Sequence, residues 1–154
     1  MDVPQSTQQK DSGELLLVGA VEYLALPDLG IRRIRARVDT GAATSSLHVD
    51  NLVEFREKGK RWVSFDIHPR VHKVPRVIHA RARVLSKRRI KSSSADTEKR
   101  IVISTTLEIG GRQWPIQLTL TDRSAMTYPM LMGRQAMAGR ILVDPGVDYL
   151  LDSP

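Results

Sequence analysis

Along most of the chain apolar and polar residues alternate, and helix-like spacing is scarce. From Ile34 to Val38, Ile34, Ala36 and Val38 can face a core while Arg35 and Arg37 face water, the period of a half-buried strand. Residues 61–67 repeat the pattern, with Val63, Phe65 and Ile67 set against Trp62, Ser64 and Asp66. Leu107-Glu108-Ile109 and the run from Arg112 to Leu120 are joined by Gly110-Gly111, which predicts a hairpin. Pro115 within that run predicts an edge or non-hydrogen-bonded position. Residues 14–26 predict a strand bent at Gly19, 44–49 predict another, and Pro27-Asp28-Leu29-Gly30 is a turn by residue type. Residues 50–60 are charged and read as irregular, with one helical turn at most. Residues 76–85 and 100–109 predict the arms of a long hairpin whose mobile tip is the serine- and lysine-rich Ser86–Lys99. Short strands are expected at 141–143 and 147–151, and one short helix over Arg134–Ala138, closed by Gly139. The sum is an all-β, barrel-like domain with little helix. Residues 1–13 read as a disordered polar lead, and 14–154 as one domain.

At 154 residues the chain is long enough for a real core. Aromatic residues make up 5% and charged residues 27%, so the interior should be aliphatic. The absence of cysteine excludes disulfides and thiolate metal sites and is compatible with a reducing cytosol. Residues 15–21 are apolar, but Glu22 ends the run far short of a membrane span, and no membrane association is expected. The net charge of +7, with clusters at Arg32–Arg37, Arg81–Arg83 and Lys87–Lys91, fits either a solvated surface or attraction to an acidic partner such as a glutamate-rich peptide, RNA or a ribosomal surface.

The chemistry-bearing stretch is Asp39-Thr40-Gly41-Ala42-Ala43-Thr44-Ser45. A strand ending in aspartate before a glycine turn projects a carboxylate from a backbone held on both sides. Ala42 and Ala43 leave room beside it, and Thr40, Thr44 and Ser45 can hydrogen-bond the loop. This motif, followed far downstream by Met130-Leu131-Met132-Gly133-Arg134-Gln135-Ala136-Met137, resembles the two halves of the active site of retropepsin-like aspartic proteases. The ending Tyr128-Pro129 through Gly133-Arg134 and on to Leu142-Val143-Asp144-Pro145-Gly146 is similar to one branch, the bacterial and archaeal proteins called "ATP-dependent zinc protease", some of them RimB, which are associated with the glutamate ligase RimK. The similarity spans roughly residues 14–152.

That resemblance implies a closed retropepsin-like barrel with one short C-terminal helix, with Asp39 as the catalytic carboxylate. Thr40, Gly41, Ala42 and Thr44 would form the active-site loop, with Gly133 and Arg134 supporting it from behind. Two carboxylates sharing one proton are needed for this hydrolysis. With a single Asp-Thr-Gly in the chain, the second is expected from Asp39 of another copy across a two-fold axis. Retroviral members carry an acid four residues after the catalytic aspartate, where it pairs with the arginine of Gly-Arg. Here that position is Ala43, so Arg134 is expected to pair elsewhere, with Asp122, Asp144 or Asp148. The stretch 77–105, with its tip near 87–99, looks like the flap that covers substrate, and its basic residues would favour acidic side chains. The RimB resemblance further implies action on a glutamate-tailed ribosomal protein and association with RimK.

Neither metal nor cofactor is expected. The histidines His48, His68, His72 and His79 do not form a His-Glu-x-x-His helix, and no Walker-type phosphate loop is present. The competing reading is a non-catalytic basic β-barrel module that docks an acidic protein or RNA, although few aromatics are available for base stacking.

Overall fold

The computed structural model describes residues 14–69, 76–91, 97–122 and 127–151. The predicted lead at 1–13 lies outside them, as does the loop between Pro69 and Arg76. Six strands close a mixed barrel: β2 (Val21–Leu26), β3 (Ile31–Val38), β4 (Ser45–His48), β9 (Thr97–Ile109), β10 (Arg112–Thr121) and β11 (Met130–Met132). Around the barrel they run β10–β4–β11–β3–β2–β9 and back to β10, with β8 (Ser86–Lys91) added outside β9. β1 (Leu16–Val18) and β12 (Ile141–Val143) form a parallel pair, while β5 (Asp50–Glu57), β6 (Lys60–Ile67) and β7 (Ile78–Arg83) form a separate antiparallel sheet. The one α-helix among the described residues, α1, is Arg134–Met137.

The core is aliphatic, as the composition predicts. Val18, Leu26, Ile31, Ile34, Leu47, Ile67, Ile103, Leu107, Ile116 and Leu118 are fully or almost fully buried, and Phe65 and Trp114 are the large aromatics among them. The β2–β3 pairing shifts register between Leu24 and Leu26 of β2, so that Leu24 faces Ile34 and Leu26 faces Ile31, with the extra residue in β3. This bulge lets Ile31 and Ile34, an odd spacing, both point inward. The predicted turn between β9 and β10 forms at Gly110 and Gly111 with φ of 59° and 79°, the two left-handed positions of a type I′ hairpin. Pro115 sits before Leu118, where β4 begins to pair with β10, so it occupies a stretch of β10 with a single strand neighbour.

Four expectations need correction. The strand over 14–26 is two strands in different sheets, separated at Gly19-Ala20, where the Val147 carbonyl packs against Gly19. Residues 50–57 are β5, not irregular. Among the described residues β5 is an edge strand paired only with β6, and none of its residues is fully buried, so alternation leaves little trace in its sequence. The 76–85 arm is not the strand partner of 100–109: β7 pairs with β6, the Leu85 amide past its end reaches β9 at Val102 O, and the hairpin partner of β9 is β8. Residues 147–151 make no strand; their backbone amides at Leu150 and Leu151 bond instead to the buried Glu22 carboxylate.

Candidate active site

β11 is threaded between β3 and β4, parallel to the first and antiparallel to the second. β3 therefore leaves the sheet on one side of β11 and the chain re-enters as β4 on the other. Residues 39–44 bridge that gap, and β11 with the start of α1 runs beneath them.

The bridge is tied down at nearly every residue. The Asp39 amide donates to the Met132 carbonyl at 2.9 Å, and the Ala42 amide to the Asp39 carbonyl at 3.2 Å. From the other side the Arg134 amide donates to Ala42 O at 2.8 Å and the Gln135 amide to Ala43 O at 2.9 Å. The Gly133 amide donates to the buried Ser45 Oγ at 3.0 Å. The Arg134 and Gln135 amides are first-turn donors with no intrahelical acceptor, so the loop and the helix start satisfy each other.

Gly133 is fixed by close approach rather than by its dihedrals, since φ is −101° and ψ −178°. A β-carbon there would lie 2.7 Å from both the carbonyl carbon and oxygen of Thr44 and 2.9 Å from Ala42 O. Arg134 donates through Nη1 to the Thr40 carbonyl at 3.0 Å. Its expected carboxylate partners, Asp122, Asp144 and Asp148, do not pair with it. A backbone carbonyl takes the role that an acid would fill at position 43, where this chain has alanine.

Asp39 itself is half-buried. Its Oδ1 accepts from the Gly41 amide at 2.8 Å, which orients the carboxylate, while Oδ2 has no hydrogen-bond partner among the described residues. Thr40 and Gly41 are exposed, Ala42 and Thr44 are half-buried. The structure thus brings together Asp39, Thr40, Gly41, Ala42, Thr44, Gly133 and Arg134 in one constellation. Two contributors are not evident from sequence. The Met132 carbonyl and the Gln135 amide act through backbone, which no side-chain motif reports.

A cavity of about 720 Å³ lies away from this loop, lined in part by Asp50, Glu54, Lys87, Glu98, Arg100 and Asp122. Its charges are largely matched: Lys87 pairs with Glu54 at 3.0 Å and Arg100 with Glu98 at 2.7 Å. Of the histidines, His48 and His68 face Asp50 at 3.7 and 2.9 Å and His79 faces Asp66; His72 lies outside the described residues. No group of three or more His, Asp or Glu side chains suited to a metal ion exists among the described residues, and no described helix is long and apolar enough to cross a membrane.

A family model described as RimB-like, "Retropepsin-like aspartic endopeptidase RimB", matches residues 17–154. The chain belongs to the RimB-like family. Its enzymatic class is accordingly that of a retropepsin-like aspartic endopeptidase. A crystal structure of a Legionella pneumophila protein of unknown function (DUF785) superposes with a TM-score of 0.74 at 26% identity, covering 90% of this chain and 99% of that one, so the RimB-like barrel recurs there. Relatives named "Probable alpha-L-glutamate ligase" are 42% identical in Shewanella pealeana, over 91% of this chain and 31% of the relative. In Parasynechococcus marenigrum the identity is 50%, over 84% of this chain and 28% of the relative. The chain spans under a third of the length of these relatives, so this RimB-like domain is homologous to one part of each.

Proposed function

We propose that residues 14–154 form one protease unit, that two such units make the working enzyme, and that each contributes Asp39 to a shared dyad hydrolysing peptide bonds in glutamate-rich protein. The observation that carries this is the Asp39 carboxylate, oriented by the Gly41 amide on a loop anchored from both sides, with its second oxygen unbonded among the described residues. Brought close by a two-fold axis, two such groups cannot both ionise and share a proton as a unit. The ionised member removes a proton from water as that water attacks the scissile carbonyl. The protonated member hydrogen-bonds the carbonyl oxygen and stabilises the charge that develops on it. The proton taken from water is passed to the amide nitrogen as the tetrahedral intermediate collapses, the C–N bond breaks and the amine leaves, and the dyad returns to its singly protonated state.

The β1–β12 pair supports an isologous association. Leu17 and Leu142 lie directly opposite each other and are 47% and 55% exposed, with Leu15 beside them at 47%, an apolar face on a two-stranded sheet. The β8–β9 hairpin is the flap in this reading, carrying exposed Lys87 and Lys99; β7 belongs to the other sheet and is not part of it.

Relatives that carry a glutamate ligase name favour a substrate rich in glutamate, since a hydrolase sharing a chain with a ligase would act on the bonds that ligase makes. Association with a RimK-type ligase and action on a glutamate-tailed ribosomal protein follow from the same reasoning. The test is Asp39→Asn with sedimentation analysis of the wild type. Cleavage of glutamate-rich peptide is expected from a dimer and absent in the variant, with the fold unchanged by circular dichroism. Undiminished cleavage by Asp39→Asn would refute the proposal, and acidic-peptide binding without cleavage by the wild type would favour a non-catalytic binding module.

A further inference from the structure

Strand alternation continues from β3 into the loop. Ile34, Ala36 and Val38 point into the core, which leaves Arg33, Arg35 and Arg37 on the outer surface and carries Asp39 to the same side. Arg37 is therefore one strand repeat from the carboxylate, about 7 Å along the chain. Pairing registers extend a row sideways from it: Arg37 lies beside Leu131 of β11, Leu131 beside Ser46 of β4, and Ser46 beside Thr119 of β10. Ser46 and Thr119 share a hydrogen bond at 3.0 Å, and Leu131 and Ser46 are half-buried. The result is a row next to the Asp39 loop with an apolar middle at Leu131, the half-buried Ser46 hydroxyl backed by buried Thr119 at one end, and a guanidinium at the other.

The three arginines of the row differ in what already holds them. The Arg33 guanidinium lies 3.8 Å from the centre of the Tyr23 ring. Arg35 donates to the Tyr149 hydroxyl at 3.3 Å and lies over Tyr128. Arg37 is exposed, and among the described residues nothing accepts a hydrogen bond from it. A guanidinium presents a planar fork suited to a carboxylate, and of the three it is the one nearest the reacting group that has no acceptor among the described residues.

We propose that Arg37 is the specificity-determining residue of the site, receiving the carboxylate of an acidic side chain adjacent to the scissile bond while Leu131 supports that side chain's methylenes. This rests on the dimeric aspartic-protease reading. In a two-fold dimer an Arg37 stands on each side of the dyad, so acidic residues are selected on both sides of the cleaved bond.

The experiment uses two peptides of one length, glutamate-rich and glutamine-rich, and two readouts. In the first, Arg37→Gln lowers kcat/KM on the glutamate peptide by about 10- to 100-fold, the range for a lost hydrogen-bonded charge pair, and leaves the glutamine peptide within about twofold. Arg37→Lys, which keeps the charge and loses the fork, falls between. Arg83→Gln, the same change on β7, leaves the preference as it was. In the second, binding of both peptides is measured to Asp39→Asn, alone and combined with Arg37→Gln, so that the role of Arg37 is read without turnover. If the wild type cuts neither peptide, the protease reading fails while the binding arm still decides on Arg37. Equal losses on both peptides, an equal effect of Arg83→Gln, or unchanged glutamate-peptide binding in the double variant would each overturn the assignment.

Discussion

Gly133→Ala adds one methyl group where the chain crosses itself. The backbone dihedrals at Gly133 are open to any residue, so the consequence is steric alone. The new carbon would lie 2.7 Å from Thr44 C and O and 2.9 Å from Ala42 O, against the 3.5–4.0 Å at which non-bonded carbon atoms normally rest. All three atoms are backbone and none can swing aside. Relief requires lifting the 42–44 bridge off β11, which stretches Gly133 N to Ser45 Oγ, Arg134 N to Ala42 O and Gln135 N to Ala43 O. Overpacking of this kind costs about 1–3 kcal/mol, and each weakened hydrogen bond adds up to about 1 kcal/mol. A total of roughly 3 kcal/mol is a sizeable part of the 5–15 kcal/mol typical of folded domains but leaves the protein folded, with a Tm lower by about 6–12 °C. Urea titration and calorimetry give the stability, and peptide cleavage gives the function, which should fall by more than stability alone explains because the bridge carries Asp39. Gly59→Ala is the control: Gly59 has a φ of 76° with nothing within 4 Å of an added carbon, so its cost is conformational, about 1–2 kcal/mol, and cleavage is retained. A Gly133→Ala protein as stable and active as wild type would refute the reasoning.

Glu22 is fully buried and accepts from the amides of Gly19 at 2.7 Å, Leu150 at 2.9 Å and Leu151 at 3.3 Å. Glu22→Gln turns an acceptor-only group into one that presents its own N–H to those donors, and a loss of about 2–4 kcal/mol is expected by urea unfolding; a loss below about 0.5 kcal/mol would contradict the role given to these bonds. The Glu54 carboxylate is held below its ordinary range by its hydrogen bond to Lys87, with Arg61 adding to it. Its contribution is present above the unfolded-state pKa and is lost as pH falls through the lower, folded-state value. Because the pair is well exposed, Glu54→Gln should cost only about 0.5 kcal/mol at neutral pH and nothing once pH is well below the carboxylate range. A urea-midpoint difference that persists in acid would count against the ion pair.

Where the signal was local, it could be read from residue order. The alternation of β3 and β6, the Gly110-Gly111 turn and the short helix from Arg134 needed nothing beyond neighbouring residues. The loop residues Asp39 to Thr44 were visible as a motif, and Gly133-Arg134 as its distant complement. Pairing choices were not legible, because β7 and β8 have similar composition and only tertiary packing decides that one joins β6 and the other β9. β5 was obscured by the charges it displays to solvent. The role of Glu22 had a signal, a single acid inside the apolar run Leu15–Leu26, but its partners are at the far end of the chain. Arg134 could be placed near the loop from the motif, while its actual acceptor is a main-chain carbonyl that has no sequence signature.

The threading of β11 also has a bearing on biosynthesis. Thr40 and Arg134, joined by a hydrogen bond, are 94 residues apart, and the Asp39 amide has its acceptor on Met132. A nascent chain emerging from the ribosome therefore carries its acidic motif long before the segment that shapes it exists, and such distant pairing is slow to form. A hydrolase made in this way stays latent until the segment from Met130 to Gln135 has been synthesised. Pulse-labelled hydrogen exchange should find the Asp39, Arg134 and Gln135 amides gaining protection together, after the β9–β10 hairpin; protection of Asp39 in a chain truncated before Met130 would rule out this order.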